Sequence, residues 1–177
     1  MVTDEVAARL RALIRDVPDF PRPGIVFRDI TTLVADPKGF RDAVDAMAAQ
    51  WREADVTAVA GIESRGFILG GAIAHELGAG FVAVRKQGRL PRTTVAEAYQ
   101  LEYGEAVLEV HADAVEPGQR VLVVDDLLAT GGTAAATVHL LRRIGAEVAG
   151  CAFLVELDGL GGSRTLGQTG HTSLLLI

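Results

Sequence analysis

Two segments of this chain, RVLVVDD (120–126) and EVAGCAFLVEL (147–157), carry unbroken runs of apolar residues. A strand with one face in water alternates apolar and polar residues, whereas a strand apolar at successive positions must be covered on both faces. VTAVAGI (56–62), GFVAVR (80–85) and TSLLLI (172–177) read the same way. Between the runs lie segments of helical spacing, RGFILGGAIAHELG (65–78), which Gly78 can end, and GTAAATVHLLRRIG (132–145). Strands buried on both faces and alternating with helices predict an α/β fold, a mostly parallel twisted sheet flanked by helices in a single domain spanning 1–177.

The flanking segments are less regular. TDEVAARLRALIRDV (3–17) places Val6, Leu10, Leu13, Ile14 and Val17 near helical spacing, with Thr3 or Asp4 as cap and Pro18 as the stop. A stiff stretch follows, DFPRPGIVFRDIT (19–31), and then an amphipathic helix over 36–54. Residues 86–104 are polar, broken and too long for a simple connector, which suggests a flexible lid. EAVLEVHADAV (105–115) reads as extended, and DGLGGSRTLG (158–167) as a Gly-rich loop.

Composition narrows the functional classes. A net charge of −6 argues against a dedicated nucleic-acid or anionic-membrane surface. No apolar stretch approaches the roughly 20 residues that span a bilayer. The N-terminus has no signal-like apolar region, so a cytoplasmic location is expected. The single cysteine, Cys151, sits in an apolar run without an activating neighbour and reads as a core residue. None of the four histidines has metal-ligand spacing to another.

The chemistry concentrates in VLVVDDLLATGGT (121–133). Folding does not require two adjacent carboxylates, Asp125 and Asp126, at the end of an apolar strand. In open α/β sheets ligands sit at the carboxyl ends of strands. The turn of Ala129, Thr130, Gly131, Gly132 and Thr133 precedes a helix, so its amides and the helix dipole suit a phosphate. The carboxylates would repel that phosphate but can accept hydrogen bonds from vicinal hydroxyls beside it. Phosphate plus diol describes a ribose 5-phosphate. Neither a Walker A loop nor a dinucleotide GxGxxG is present. GIESRGF (61–67) forms a second anion-binding turn with one cation, and VRKQGRLPR (84–92) gathers Arg85, Lys86, Arg89 and Arg92 in a chain acidic overall.

VLVVDDLLATGGT resembles the signature of the type I phosphoribosyltransferases, which bind phosphoribosyl pyrophosphate (PRPP). DFPRPGIVFRDIT, GIESRGFILG, VAVRKQGRLP and YQLEYGEAVLEV resemble the adenine-using members of that family, over about residues 18–160. The resemblance implies transfer of the 5-phosphoribosyl group from PRPP to adenine, giving AMP and pyrophosphate in purine salvage, with Mg²⁺ arriving on the PRPP and no metal ligand from the protein. It implies a homodimer and a small base-binding hood. By the same resemblance Glu63, Ser64, Arg65, Gly66, Arg85, Lys86 and Arg89 hold pyrophosphate, the GIESRGF loop often doing so through a strained peptide. The Arg85–Lys86 loop would reach partly across the dimer. Family members often carry Lys where this chain has Arg89. Phe27 would stack on the purine, backbone groups of Val26 and Arg28 would read its edge, and Leu160 would cover the other face. Glu102 would handle the purine proton, and Tyr103 would close over the site. Three other readings share the ribose-phosphate turn: transfer to another base, PRPP sensing by a regulator, and PRPP synthesis.

Overall fold

The computed structural model describes residues 3–101 and 104–177. In chain order the elements are α1 (Asp4–Ala12), β1 (Arg15–Pro18), β2 (Val26–Asp29), α2 (Thr31–Ala35), α3 (Pro37–Ala49), β3 (Ala58–Ile62), α4 (Arg65–Leu77), β4 (Gly80–Lys86) and β5 (Thr94–Leu101). They continue as β6 (Gly104–His111), β7 (Arg120–Leu128), α5 (Gly132–Arg143), β8 (Glu147–Glu156), α6 (Gly162–Leu166) and β9 (His171–Leu176).

Seven strands form the main sheet in the order β5-β6-β4-β3-β7-β8-β9. The five from β4 to β9 are parallel, as the unbroken apolar runs require. Alternate residues of β7 serve opposite faces. Leu122 and Val124 pack with Leu10, Met47, Leu69 and Ile73 from α1, α3 and α4. Val121 and Val123 pack with Val138, Leu140 and Leu141 of α5. Each of these side chains is at most 2% exposed, and burial of an aliphatic side chain contributes about 1.5–3 kcal/mol. This covering of both faces is what makes a continuous apolar strand stable.

From β3 the chain crosses through α4 to β4 on one side, while β7 lies on the other side of β3. Connections leaving the carboxyl ends of β3 and β7 therefore diverge, and a crevice opens between them. The sheet order places the 62–65 and 125–133 segments at this switch point.

Four local expectations need correction. The first helix stops at Ala12, because Arg15–Pro18 pairs antiparallel with Val26–Asp29 in a separate two-stranded sheet. The polar 86–104 stretch contains β5, which pairs antiparallel with β6 to form a hairpin at the sheet edge. Val95 and Tyr99 of β5 pack toward the α5 side of the core, and this burial stabilises the hairpin. The 36–54 helix ends at Ala49. The Gly-rich piece contains a short helix, α6, at Gly162–Leu166.

Candidate active site

The strand bearing the two carboxylates runs to Leu128, two residues beyond the sequence expectation. Asp125 is partly buried and Asp126 is 3% exposed. Burial, and the neighbouring Asp126 charge, push the Asp125 carboxyl well above the usual carboxylate range. The Asp126 amide donates to Asp125 Oδ1 at 2.9 Å and offsets part of this, as does the charge of Arg65. Two like charges in a half-dry crevice are a poor arrangement for stability and a good one for receiving hydroxyl donors.

After β7 the chain turns through Ala129 and Thr130 to Gly131, whose φ is +83°. A Cβ there would sit 2.7 Å from the Gly162 carbonyl oxygen and 2.9 Å from Thr165 Cβ. Gly131 is thus required both by the left-handed backbone and by close packing against α6. Gly132 and Thr133 open the twelve-residue α5, so the turn faces the positive end of a substantial helix. The Thr133 hydroxyl lies 3.4 Å from the Tyr99 hydroxyl on the hairpin. A cavity of about 190 Å³ is lined by Arg65 and residues 125–134. A second, of about 320 Å³, is lined by Ile62, Glu63, Ser64, Arg65, Lys86, Tyr99, Leu108, Asp125, Asp126 and Thr133. The two share Arg65, Asp125, Asp126 and Thr133, so they read as one crevice with two lobes.

The GIESRGF turn forms the opposite wall. The Glu63–Ser64 peptide is cis. The Ser64 hydroxyl makes no capping bond to α4, which removes the simplest structural reason for a serine there. Gly66 lets α4 approach β7: a Cβ would meet the Val124 carbonyl oxygen at 2.8 Å and Asp125 Oδ1 at 2.9 Å. Arg65 Nε stands 2.6 Å from Asp126 Oδ2, yet no N–H is aligned on that oxygen, so the pair is ionic without a hydrogen bond. The Arg65 guanidinium also lies over the Phe27 ring, 4.7 Å from its centroid. One side chain therefore joins the carboxylates to the aromatic ring of β2.

The other expected residues divide between the crevice and its surroundings. Lys86 lines the larger lobe, but Arg85 and Arg89 do not. Arg85 Nε donates to Glu63 Oε2 at 3.0 Å, and its Nη1 donates to the Arg89 carbonyl at 3.0 Å. Arg89 itself is exposed, and Arg92 pairs at the surface with Asp113. Val26 is exposed on β2, while the Arg28 side chain pairs with Asp16 across the small sheet at 2.6 Å. Arg28, and then Arg11, hold the Asp16 carboxyl below its ordinary range. The Arg28 side chain thus braces β1 against β2. Leu160 is 45% exposed and lines neither lobe. Glu102 and Tyr103 lie outside the described residues. Sequence reasoning misses Tyr99, Ile62 and Leu108 as crevice residues. Their signal is present but weak: Val95 and Tyr99 keep the even spacing of one strand face inside a polar stretch.

A family model for the phosphoribosyl transferase domain matches residues 31–165. An adenine phosphoribosyltransferase of Jannaschia sp. (strain CCS1) is 61% identical over 153 residues, 86% of each chain. That of Rhodopseudomonas palustris (strain BisB5) is 54% identical over 96% of this chain and 93% of the relative. The crystal structure of adenine phosphoribosyltransferase from Rhodothermus marinus superposes with a TM-score of 0.95 at 52% identity, covering 99% of this chain and 100% of the other. The Saccharomyces cerevisiae enzyme superposes at 0.92 with 36% identity, covering 98% of this chain and 100% of the other. Two carboxylates and a Gly/Thr turn in one crevice at the switch point, together with this similarity along nearly the whole length, identify the chain as a member of the adenine phosphoribosyltransferase family, whose reaction moves the 5-phosphoribosyl group of PRPP to adenine and releases pyrophosphate.

Proposed function

We propose that the chain carries out this transfer chiefly by positioning and charge. The observation that carries the reading is the Asp125–Asp126 pair facing the 129–133 turn across one crevice, with Arg65 bridging to Phe27. The turn and the first amides of α5 bind the 5-phosphate. Asp125 and Asp126 accept the ribose hydroxyls, and their negative charge offsets the positive charge that grows on the sugar as the bond to pyrophosphate lengthens. Arg65, Lys86, Ser64 and the 63–66 backbone take the pyrophosphate, and Arg85 and Arg89 act from its margin.

Mg²⁺ would arrive on the PRPP oxygens, and the carboxylates of Asp125 and Asp126, where Asp126 Oδ2 has no hydrogen bond aligned on it, fit water of its shell rather than the ion itself. When bound it would neutralise pyrophosphate charge. The base goes against Phe27, which requires the Arg65 guanidinium to leave that ring. Backbone groups of Val26 and Arg28 then present one acceptor and one donor to adenine's amino group and ring nitrogen. A 6-oxo purine offers the reverse pattern and leaves buried groups unpaired. Leu160 covers the far face, Glu102 handles the ring proton, and Tyr103 closes the lid against water. Support for a base beside a sugar-phosphate mimic comes from the yeast relative, whose structure holds adenine together with an imino-altritol bisphosphate.

In the proposed assembly the chain works as a cytoplasmic homodimer. The exposed apolar Ile68 on α4 and Phe81 on β4, with Phe67 edge-on to Phe81 at 5.8 Å, support a protein-covered face there. The test follows pyrophosphate release from PRPP and Mg²⁺ with adenine, hypoxanthine, guanine or orotate in turn. Release with adenine alone supports the base reading. Release with another base retains the crevice assignment and overturns the Phe27 hood assignment.

A further inference from the structure

Glu109 of β6 is 4% exposed and has no part in the mechanism above. A buried carboxylate is costly unless it is hydrogen-bonded. Its Oε1 accepts the amides of Arg89 at 3.0 Å and Leu90 at 2.9 Å. Its Oε2 accepts the Thr94 hydroxyl at 3.3 Å, and the Gly88 amide also donates to the group. Burial pushes this carboxyl up, but the amides of Leu90, Gly88 and Arg89 and the Thr94 hydroxyl together outweigh burial and hold it below the usual range. Among the described residues no cation pairs with it. The turn between β4 and β5 is therefore curled around a negative charge, with backbone N–H groups as its main partners.

That turn belongs to a longer connection. Glu63 Oε2, on the crevice wall, accepts from Arg85 Nε and from the Lys86 amide at 3.3 Å. Arg85 Nη1 donates to the Arg89 carbonyl, and the Arg89 amide donates to Glu109. A hydrogen-bonded chain thus runs from Glu63 through Arg85 and the Arg89–Leu90 peptide to Glu109, with Lys86 beside it in the crevice. Arg85 and Glu109 are also direct cross-strand neighbours. An apolar side chain could fill the Glu109 position without desolvating a charge. A carboxylate does something else there: it gathers three successive amides and fixes the curl of the turn.

We propose that Glu109 is a positioning residue for the leaving-group site: from behind the crevice wall it fixes the turn after β4, and through Arg85 it sets where Lys86 meets pyrophosphate. The inference rests on the assignment of Lys86 to pyrophosphate, so the test separates the two. Steady-state constants for PRPP and adenine are measured for Lys86→Ala, Glu109→Gln and Glu109→Ala, with thermal melting of each. Amide hydrogen exchange of residues 88–90 is followed in the unsubstituted protein without ligand.

A Gln keeps an acceptor for the amides but loses the charge that strengthens those bonds, so KM for PRPP should rise about 3- to 10-fold. Alanine leaves the amides unpartnered and should raise it about 10- to 100-fold. In both, KM for adenine should stay within about twofold, and amides 88–90 should be protected in the unsubstituted protein. An unchanged KM for PRPP in folded Glu109→Ala overturns the proposal. So does a parallel rise for both substrates, or exchange at 88–90 as fast as in an open loop. If Lys86→Ala leaves KM for PRPP unchanged, the pyrophosphate assignment fails and this inference with it. Should the alanine variant not fold, the Gln variant and the exchange measurement decide.

Discussion

Alanine at Gly131 and alanine at Gly71 should have opposite effects, and the structure gives the size of each. At Gly131 the backbone has φ +83°, which costs an L-residue about 1–2 kcal/mol. The added Cβ would also press on the Gly162 carbonyl oxygen at 2.7 Å and on Thr165 Cβ at 2.9 Å. Neither contact is the free end of a long side chain, so either α6 or the turn must move. Overpacking of this kind costs about 1–3 kcal/mol. The sum, about 2–5 kcal/mol, corresponds to a fall in Tm of about 4–20 °C in a chain of this size. Gly71 lies inside α4 with nothing within 4 Å of a built Cβ. Alanine there should add about 0.5–1 kcal/mol, a rise of about 1–4 °C. The Gly131 variant should also bind PRPP about 10- to 150-fold more weakly, since a shifted turn loses one or more charge-assisted bonds at about 1.5–3 kcal/mol each. Calorimetric melting and initial rates at saturating adenine would measure both effects. A Gly131→Ala protein that melts like its parent and keeps its KM for PRPP would refute the claim that α6 holds the phosphate turn in shape.

Asp125→Asn should lower kcat/KM about 100- to 1,000-fold by removing charge placed for the transition state, while raising Tm. The folded-state pKa of Asp125 is raised, so its contribution to stability is complete below the unfolded carboxylate value and is lost as pH rises through the folded one. The Tm advantage of the Asn variant should therefore grow with pH, and a constant gap between pH 4 and pH 8 would contradict burial and the Asp126 charge as its cause. Phe27→Ala should raise KM for adenine about 5- to 150-fold, from about 1–3 kcal/mol of lost stacking, with KM for PRPP nearly unchanged; competition with adenine analogues would check it. Burial pushes the Cys151 thiol up to about 12, so an aromatic disulfide reagent at pH 8 should label it only on unfolding. Labelling at the rate of a free thiol in the folded protein would contradict that burial.

The central sheet is legible in the sequence because burial on both faces leaves a direct mark: β7 and β8 cannot alternate. VVDDLLATGGT is legible because two adjacent carboxylates have no folding purpose at a strand end. The small sheet is not. Arg15–Pro18 carries no alternation, and its partner Val26–Asp29 becomes a strand only by pairing across a proline-rich turn. β5 is not legible as a strand within the polar 86–104 stretch, since Glu97 and Thr94 look like loop residues until Arg143 of α5 is seen to bond Glu97 at 2.6 Å and Glu109 to accept from Thr94. Glu109 has no sequence signal, because its partners are backbone amides, which every residue but proline supplies. Arg85 looks like a ligand contact on composition, and only geometry shows its bonds going to Glu63 and to the turn.

The two-stranded sheet of β1 and β2 pairs only with itself among the described residues, and no ladder bond joins it to the seven-stranded sheet. In the proposed reading, the backbone that reads the purine edge and the backbone that holds the sugar therefore lie in separate sheets. A shift of the Val26–Asp29 backbone can occur without disturbing a single register in the parallel sheet. The large sheet is correspondingly free to hold the proposed ribose and phosphate site unchanged. In such a construction the scaffold acts as a common socket, and the partner offered to it is an exchangeable part.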